Sequence, residues 1–286
     1  MPELSQSSDS PSKGRLSTRR VNRYNIVRVH RIVEIVRHAA SPRGLNLIAA
    51  IPVARYDGNV KPASRAAATA SDARSIIVIA NGGGAFWNAF KAHVDRHPEW
   101  IQREHPLDDF TREVVENEIA PALAREGVVA RAVYPFMNGS ATLNFMELGK
   151  VAGLCGPSIV GVMVNPIYGP WFAFRAALLI DREIDEPGDA VGFDPCPRCE
   201  ARSCVGACPA SAVRVDSGWN ISRCLVHRVE HEPDCAPSCH ARVACVLGPE
   251  HRYPPDELEY HQRRALASMR AYYEANLKIV RARASD

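Results

Sequence analysis

Eight of the chain's nine cysteines fall in one stretch: Cys196, Cys199, Cys204, Cys208, Cys224, Cys235, Cys239 and Cys245. The first four read C-x2-C-x4-C-x3-C and are followed at once by Pro209. Thiolates at such short intervals suit a metal centre, because a loop can wrap several corners of a centre only when few residues separate its ligands. Two chemistries use the pattern. A zinc knuckle holds one ion with paired C-x2-C units, and an iron–sulfur cluster gives each iron of a cubane one thiolate. The closing C-x3-C-P favours the cluster, since proline turns the chain away without a backbone N–H that needs a partner. The second set of four is less regular. Eight thiolates match two four-iron clusters and four match one, so both counts stay open. His227, His231 and His240 lie among these cysteines. Each has the chemistry to replace a thiolate, and each also fits a position at the surface or behind the ligands.

The remainder of the chain argues for metal over disulfides. Disulfide scaffolds are short and follow a secretory signal. Here 286 residues begin with a Ser- and Arg-rich stretch that has no apolar leader. A cytoplasmic location is the expectation, with residues 1–20 a disordered basic tail. A transit peptide shares that composition, but Glu3 and Asp9 fit one poorly. A net charge of +3 gives no reason to expect nucleic acid. No apolar run approaches the roughly 20 residues of a membrane span.

Certain elements must position the cysteines. Val27, Ile32, Val33, Ile35 and Val36 predict an amphipathic helix over 21–38. The runs at 45–53, 75–80 and 128–135 predict strands, and helices are expected at 85–94 and 108–126, the latter kinked or restarted by Pro121. A helix over 145–154 precedes two expected strands, 159–165 and 173–181, around a turn at 166–170. A last amphipathic helix covers 255–282. The glycines at 82–84, following a strand, suit either a tight turn or a phosphate cradle. Cys155 reads as a small buried apolar residue. Alternating strands and helices predict an α/β core, with α+β the other arrangement the pattern allows.

The cysteine motif resembles the bacterial ferredoxin pattern C-x2-C-x2-C-x3-C-P, with two extra residues before the third cysteine. Residues 159–180, IVGVMVNPIYGPWFAFRAALLI, resemble the H-P-R-F-G-G-W-F-A-I-R stretch of the cobalamin-processing CblC family. GGGAFWNAFKAHVDRHPEW at 82–100 and PEHRYPPDELEYHQ at 249–262 are weakly similar to other parts of that family. LNLIAAIPV, ARSIIVIANGG, the Ala152-Gly153-Leu154 triplet and the cysteine block resemble the epoxyqueuosine reductases. That family joins a cobalamin-binding core to a two-cluster module. The resemblance implies a nitroreductase-like cobalamin-binding core at 21–190, a ferredoxin-like 4Fe-4S module at 191–250, and a C-terminal helix at 251–286 packing on the core.

The same resemblance implies a cobalamin-dependent or cobalamin-processing reductase, in which one or two 4Fe-4S clusters pass electrons to a corrinoid. A cobalamin carrier without turnover and a plain ferredoxin-like electron carrier are the alternatives. It implies Tyr168, Trp171 and Arg175 as cofactor-binding residues, Arg175 standing where the CblC family has an arginine thought to hold glutathione. A planar guanidinium suits a carboxylate. The implied partners are a low-potential electron donor such as a flavodoxin or ferredoxin reductase, and glutathione. Two departures limit the transfer. Asn165 stands where the CblC family has histidine. The stretch 136–140, Phe-Met-Asn-Gly-Ser, holds no carboxylate where epoxyqueuosine reductases carry their acidic proton donor.

Overall fold

A computed structural model describes residues 23–137, 142–184 and 192–285. The expected tail and residues 138–140 lie outside these. Four strands form one antiparallel sheet in the order β1-β2-β4-β3, with β1 at Leu47–Pro52, β2 at Ser75–Gly82, β3 at Ala130–Val133 and β4 at Phe172–Ile180. Helix α1 spans Arg23–Ala40, α2 Val53–Asp57, α3 Ala66–Thr69, α4 Ala85–Arg96, α5 Pro106–Val114, α6 Ala120–Ala124 and α7 Phe145–Val151. A π-turn at Val115–Ile119 joins α5 to α6 and accommodates Pro121, which has no N–H to donate.

The sheet is covered on both faces. Ile77 and Ile79 of β2 and Ala176, Leu178 and Ile180 of β4 face one apolar cluster, with Val33 and Val36 of α1, Phe86 and Phe90 of α4, and Phe110 of α5. Ile76, Val78, Ala177 and Leu179 face the other, with Tyr56 and Leu148. Burial on both faces is why the central strands read as continuous apolar runs rather than alternating ones. One irregularity matters for the site. Ile79 pairs with Ala176 but Ala80 pairs with Phe174, so Arg175 is the extra residue of a β-bulge. Bulges of this kind re-aim a side chain.

The expected strand at 159–165 does not form. Only isolated bridges, Gly156 to Val164 and Asn165 to Gly169, remain. A short apolar run cannot by itself say which surface it covers, and here Val160 packs on Val213 and Ala241 of the cysteine segment. The loop that results is held tightly against that segment. Gly169 has φ +54°, and a Cβ there would lie 2.1 Å from the Leu247 carbonyl oxygen.

The cysteine segment contains only short elements: α8 at Ser203–Ala207, the hairpin of β5 (Val213–Arg214) and β6 (Gly218–Trp219), α9 at Ile221–Glu230, α10 at Glu232–Cys235 and α11 at His240–Val243. The expected last helix is two, α12 at Pro255–Ala275 and α13 at Leu277–Ser285. The start of α12 is fixed on the sheet half, where Trp87 Nε1 donates to Asp256 at 2.9 Å and Lys91 pairs with it at 2.8 Å. Its far half and α13 cover α9, through Met269, Tyr273 and Val280 around Leu225. Arg228 of α9 donates to the Gln262 carbonyl at 2.8 Å. The C-terminal helices thus clamp the cysteine segment to the sheet. Among the described residues no helix is long and apolar enough to cross a membrane.

Gly169→Ala is expected to destabilise the protein by at least about 1–2 kcal/mol, the cost of the left-handed conformation alone, and to loosen residues 192–250. Gly127→Ala shares the positive φ but has nothing within 4 Å of its Cβ, so it should leave that segment's hydrogen exchange unchanged. Equal exchange in the two variants would contradict the packing described.

Candidate metal centre

The eight cysteines fall into two groups of four that differ from their order along the chain. Cys196, Cys199, Cys204 and Cys245 line one cavity of about 410 Å³. Cys208, Cys224, Cys235 and Cys239 line a second of about 540 Å³. Burial pushes the Cys204 thiol up, and Cys245, Cys196 and Cys199 facing it add to the effect. Burial likewise pushes Cys235 up to about 11, with Cys239, Cys224 and Cys208 facing it. Cys208 therefore leaves its motif for the second group, and Cys245 returns to the first.

Two sets of four thiols match the donor count of two four-iron clusters. A tetrahedral zinc site with Zn–S bonds near 2.3 Å draws its sulfurs to within roughly 4 Å of one another. Among the described residues no three His, Cys, Asp or Glu side chains converge closely enough for one ion; the thiols ring cavities instead. Donors are aimed at the sulfurs. The Ala212 N–H points at Cys208 Sγ at 3.4 Å, Trp219 donates to the Cys224 thiol, and the Leu247 and Val246 amides approach Cys245. Such bonds favour thiolate and tune the potential of a cluster. Both sets are complete without histidine. His240 Nε2 lies 2.7 Å from the Asp234 carbonyl oxygen, and His227 stacks on His231.

The second cavity is shared with the sheet half. Phe172 and Phe174 of β4, Met146 of α7, and Tyr253, His261, Ala265 and Met269 line it together with the cysteines. Arg242 of α11 is the hinge between the halves. It donates to the Pro170 carbonyl at 3.1 and 2.6 Å and lies over Trp171 and Tyr253.

The structure separates the three residues expected to bind a cofactor from both cavities. Trp171 is fully buried and meets Tyr253 edge-on; its neighbours Pro170 and Phe172, not Trp171, reach the second cavity. Tyr168 covers Gly82 and its hydroxyl accepts from Asn46 at 3.2 Å. Arg175, re-aimed by the bulge, is buried over Phe86 and donates from Nε to Asn81 Oδ1 at 2.6 Å. The glycine turn is no phosphate cradle. The Gly82 N–H goes to Asn46 at 2.8 Å and that of Gly83 to the Trp171 carbonyl at 2.8 Å. Asn165 organises its own turn by accepting from the Ile167 and Tyr168 amides. Cys155 is buried, its thiol pushed up to about 12 by that burial.

Sequence reasoning missed a buried polar group beside the second cavity. Glu257 is fully buried, with neither oxygen hydrogen-bonded. Burial pushes it up to about 8 against the opposing pull of Arg175 and Arg242. His261 is pushed down to about 3 by burial and by Arg175, Arg242 and Arg264. The two lie 3.8 Å apart, beyond a hydrogen bond. Burial therefore decides their state, a neutral acid beside a neutral imidazole rather than an ion pair. The signal available was the spacing Glu-x-x-x-His at the start of a helix, which puts both on one face.

No protein-family model matches the chain, and no curated protein sequence matches it. Among solved structures, the fold is similar to that of the C. elegans B12-trafficking protein CblC, a human MMACHC homologue, with 17% identity and a TM-score of 0.55 over 82% of this chain and 91% of that one. Epoxyqueuosine reductase from Streptococcus thermophilus matches at 14% identity and a TM-score of 0.45, over 78% and 69% of the two chains. The catabolic reductive dehalogenase NpRdhA matches at 16% and 0.46, over 84% of this chain and 35% of its own. At 17% identity the first likeness defines the fold: this chain has the mixed helix-and-sheet architecture seen in CblC.

Folding holds a proton on Glu257 from its ordinary value of 4.5 up to about 8, so stability should fall as pH rises through that interval, by an amount on the order of a few kcal/mol. His261 works the other way. Its value is depressed from 6.5 to about 3, so stability should fall as pH drops through that range. Melting temperature against pH is the measurement. Glu257→Gln should flatten the alkaline limb and melt above wild type at pH 9; an unchanged limb would contradict the buried neutral acid.

Proposed function

We propose that this chain is an iron–sulfur protein with two 4Fe-4S clusters, acting as a reductase that passes electrons to a corrinoid held at the second cavity. One observation carries the reading: the eight cysteines sort into two complete groups of four, with Cys208 and Cys245 exchanged between the two halves of the segment. A thiolate set of this kind supplies one-electron transfer at low potential when its cluster is bound. Cys196, Cys199, Cys204 and Cys245 would hold the first, and Cys208, Cys224, Cys235 and Cys239 the second.

The second cavity supports the acceptor side of the reading. It has cysteines on one wall and the aromatic strand end of Phe172 and Phe174 on the other, so an acceptor lying on β4 would have the second set beside it. Apolar walls with a few polar anchors suit a corrin face. The fold's likeness to a B12-trafficking protein points the same way. Arg242 would hold the two walls at fixed separation. The first set, in its own cavity away from β4, is placed to receive electrons from a low-potential donor such as a reduced flavodoxin. Arg175 in this reading braces the wall from behind, and glutathione would need another anchor.

Anaerobically isolated protein should carry about eight irons and eight labile sulfides per chain. The exchanged ligands make a sharper test. Cys208→Ser should impair the cluster built with Cys224, Cys235 and Cys239, although it belongs to the first motif by sequence. Cys245→Ser should impair the one built with Cys196, Cys199 and Cys204. Electron paramagnetic resonance of each variant decides. Pairing that follows sequence order would overturn the assignment. Hydroxocobalamin titration addresses the acceptor, and binding weaker than about 100 μM, roughly −5.5 kcal/mol, would remove the corrinoid and leave an electron carrier.

A further inference from the structure

Six buried polar atoms on the sheet side of the second cavity have no hydrogen-bond partner within ordinary distance among the described residues: Trp171 Nε1, Arg175 Nη2, Tyr253 Oη (which Asn81 approaches), both Glu257 oxygens and His261 Nε2; two more, His227 Nε2 and Arg228 Nε, lie on its cysteine side. Proteins leave few such atoms, because a buried polar group that nothing satisfies loses its hydration without compensation. These six belong to one group. The Tyr253 ring lies 5.7 Å from Trp171 and 5.9 Å from His261. His261 Nε2 is 3.8 Å from Glu257, and Arg175 faces Tyr253 and Glu257. Tyr253, only 4% exposed, and His261 stand on the cavity wall, whereas Glu257 lies behind it.

We propose that Tyr253 and His261, supplied by Glu257, deliver a proton to the molecule reduced in the second cavity. The inference rests on the reading that this cavity holds a cluster and its acceptor. An electron placed on a bound acceptor in an apolar cavity leaves an uncompensated charge, and a proton removes it. The cavity wall includes no Asp or Glu, and with the cysteines committed as ligands in this reading, the proton-bearing side chains left on it are tyrosine and histidine. Two carboxyls face wall histidines. Asp234, 3.6 Å from His227, is 56% exposed and lies on the cysteine side; Glu257 is sealed from solvent and held as the acid.

The step balances simply. The electron comes from a low-potential one-electron donor outside the chain, by way of the cysteine-bound centres. The Tyr253 O–H or a His261 N–H bond breaks as a bond from that hydrogen to the acceptor forms. As a proton leaves His261 from Nδ1, the Glu257 carboxyl closes the 3.8 Å to Nε2 and protonates it there, so the ring stays neutral; Tyr253 regains its proton by way of His261. The carboxylate left behind faces the guanidinium of Arg175, which accounts for a buried arginine without an ion-pair partner. Glu257 is then reprotonated from solvent by way of His261, whose side chain is 27% exposed. The groups facing it are Arg175 of β4, Arg242 of α11, Lys91 of α4, and Asp256 and His261 of α12.

Potentiometric titration of the second cluster between pH 6 and 10 tests this without a substrate. Reduction that draws a proton toward Glu257 makes the potential fall with rising pH, above about 8 where that acid ionises. Wild type should be level at low pH and fall at high pH. Glu257→Gln, which mimics the protonated acid, should keep the low-pH potential throughout, and His261→Gln should shrink the fall. A level wild-type profile, or the same fall in Glu257→Gln, would overturn the proposal while leaving the two clusters standing. If Glu257→Gln fails to load iron, His261→Gln and Tyr253→Phe decide by the same criterion. Wild-type protein with iron in the first cavity alone would end both the proposal and the reading beneath it.

Discussion

Four thiols brought together inside a protein repel one another once ionised, and they resist ionising when buried. Cys204, Cys224, Cys235 and Cys245 all show this, each pushed up by burial and by the cysteines around it. Cationic iron, in the proposed reading, would relieve the conflict by taking the place of the protons. The segment has little else to organise it, since among the described residues Val213, Leu225 and Ala241 are what it contributes to buried apolar clusters. Its fold would therefore depend on a bound metal more closely than that of the sheet half.

The sheet half answers with rigid attachment. A two-sided apolar core fixes β4, whose end presents Phe172 and Phe174 to the cysteines. The loop from 156 to 170 gives up strand structure to cover the segment, and Gly169 permits its backbone to lie against Leu247. Arg242 bonds the loop carbonyl of Pro170 from the other side. Helix α12 closes the frame, with Asp256 held by Trp87 and Lys91 at one end and Met269 packed near α9 at the other. The proposed electron path between the two halves would need such fixed separation, and the polar group of Glu257 and His261 sits at their seam.

Much of this was legible in the chain. The apolar runs at 45–53 and 75–80 and the periodic stretch at 21–38 became β1, β2 and α1, because a buried strand and an amphipathic helix leave strong local patterns. The cysteine residues were legible for the same reason. Half of their pairing was legible too, since in the ferredoxin pattern the motif resembles the fourth cysteine reaches the neighbouring cluster; the return of Cys245 to the first group was not, because it depends on how the segment folds back on itself. Val160 and Val164 read as strand because periodicity records burial and not the surface that provides it. Trp171 and Arg175 looked like pocket residues, but a bulge one residue long sends Arg175 to Phe86 and Asn81. Glu257 and His261 fell within the predicted last helix, and nothing local says which polar residues of that helix its packing will bury.

Anomalous diffraction at the iron edge, from crystals of anaerobically prepared protein, tests the central claim most directly. The account predicts two separate iron centres, one bounded by Cys196, Cys199, Cys204 and Cys245 and the other by Cys208, Cys224, Cys235 and Cys239, with no signal at the zinc edge. A single centre, or compact zinc sites formed by neighbouring cysteines in sequence order, would contradict it.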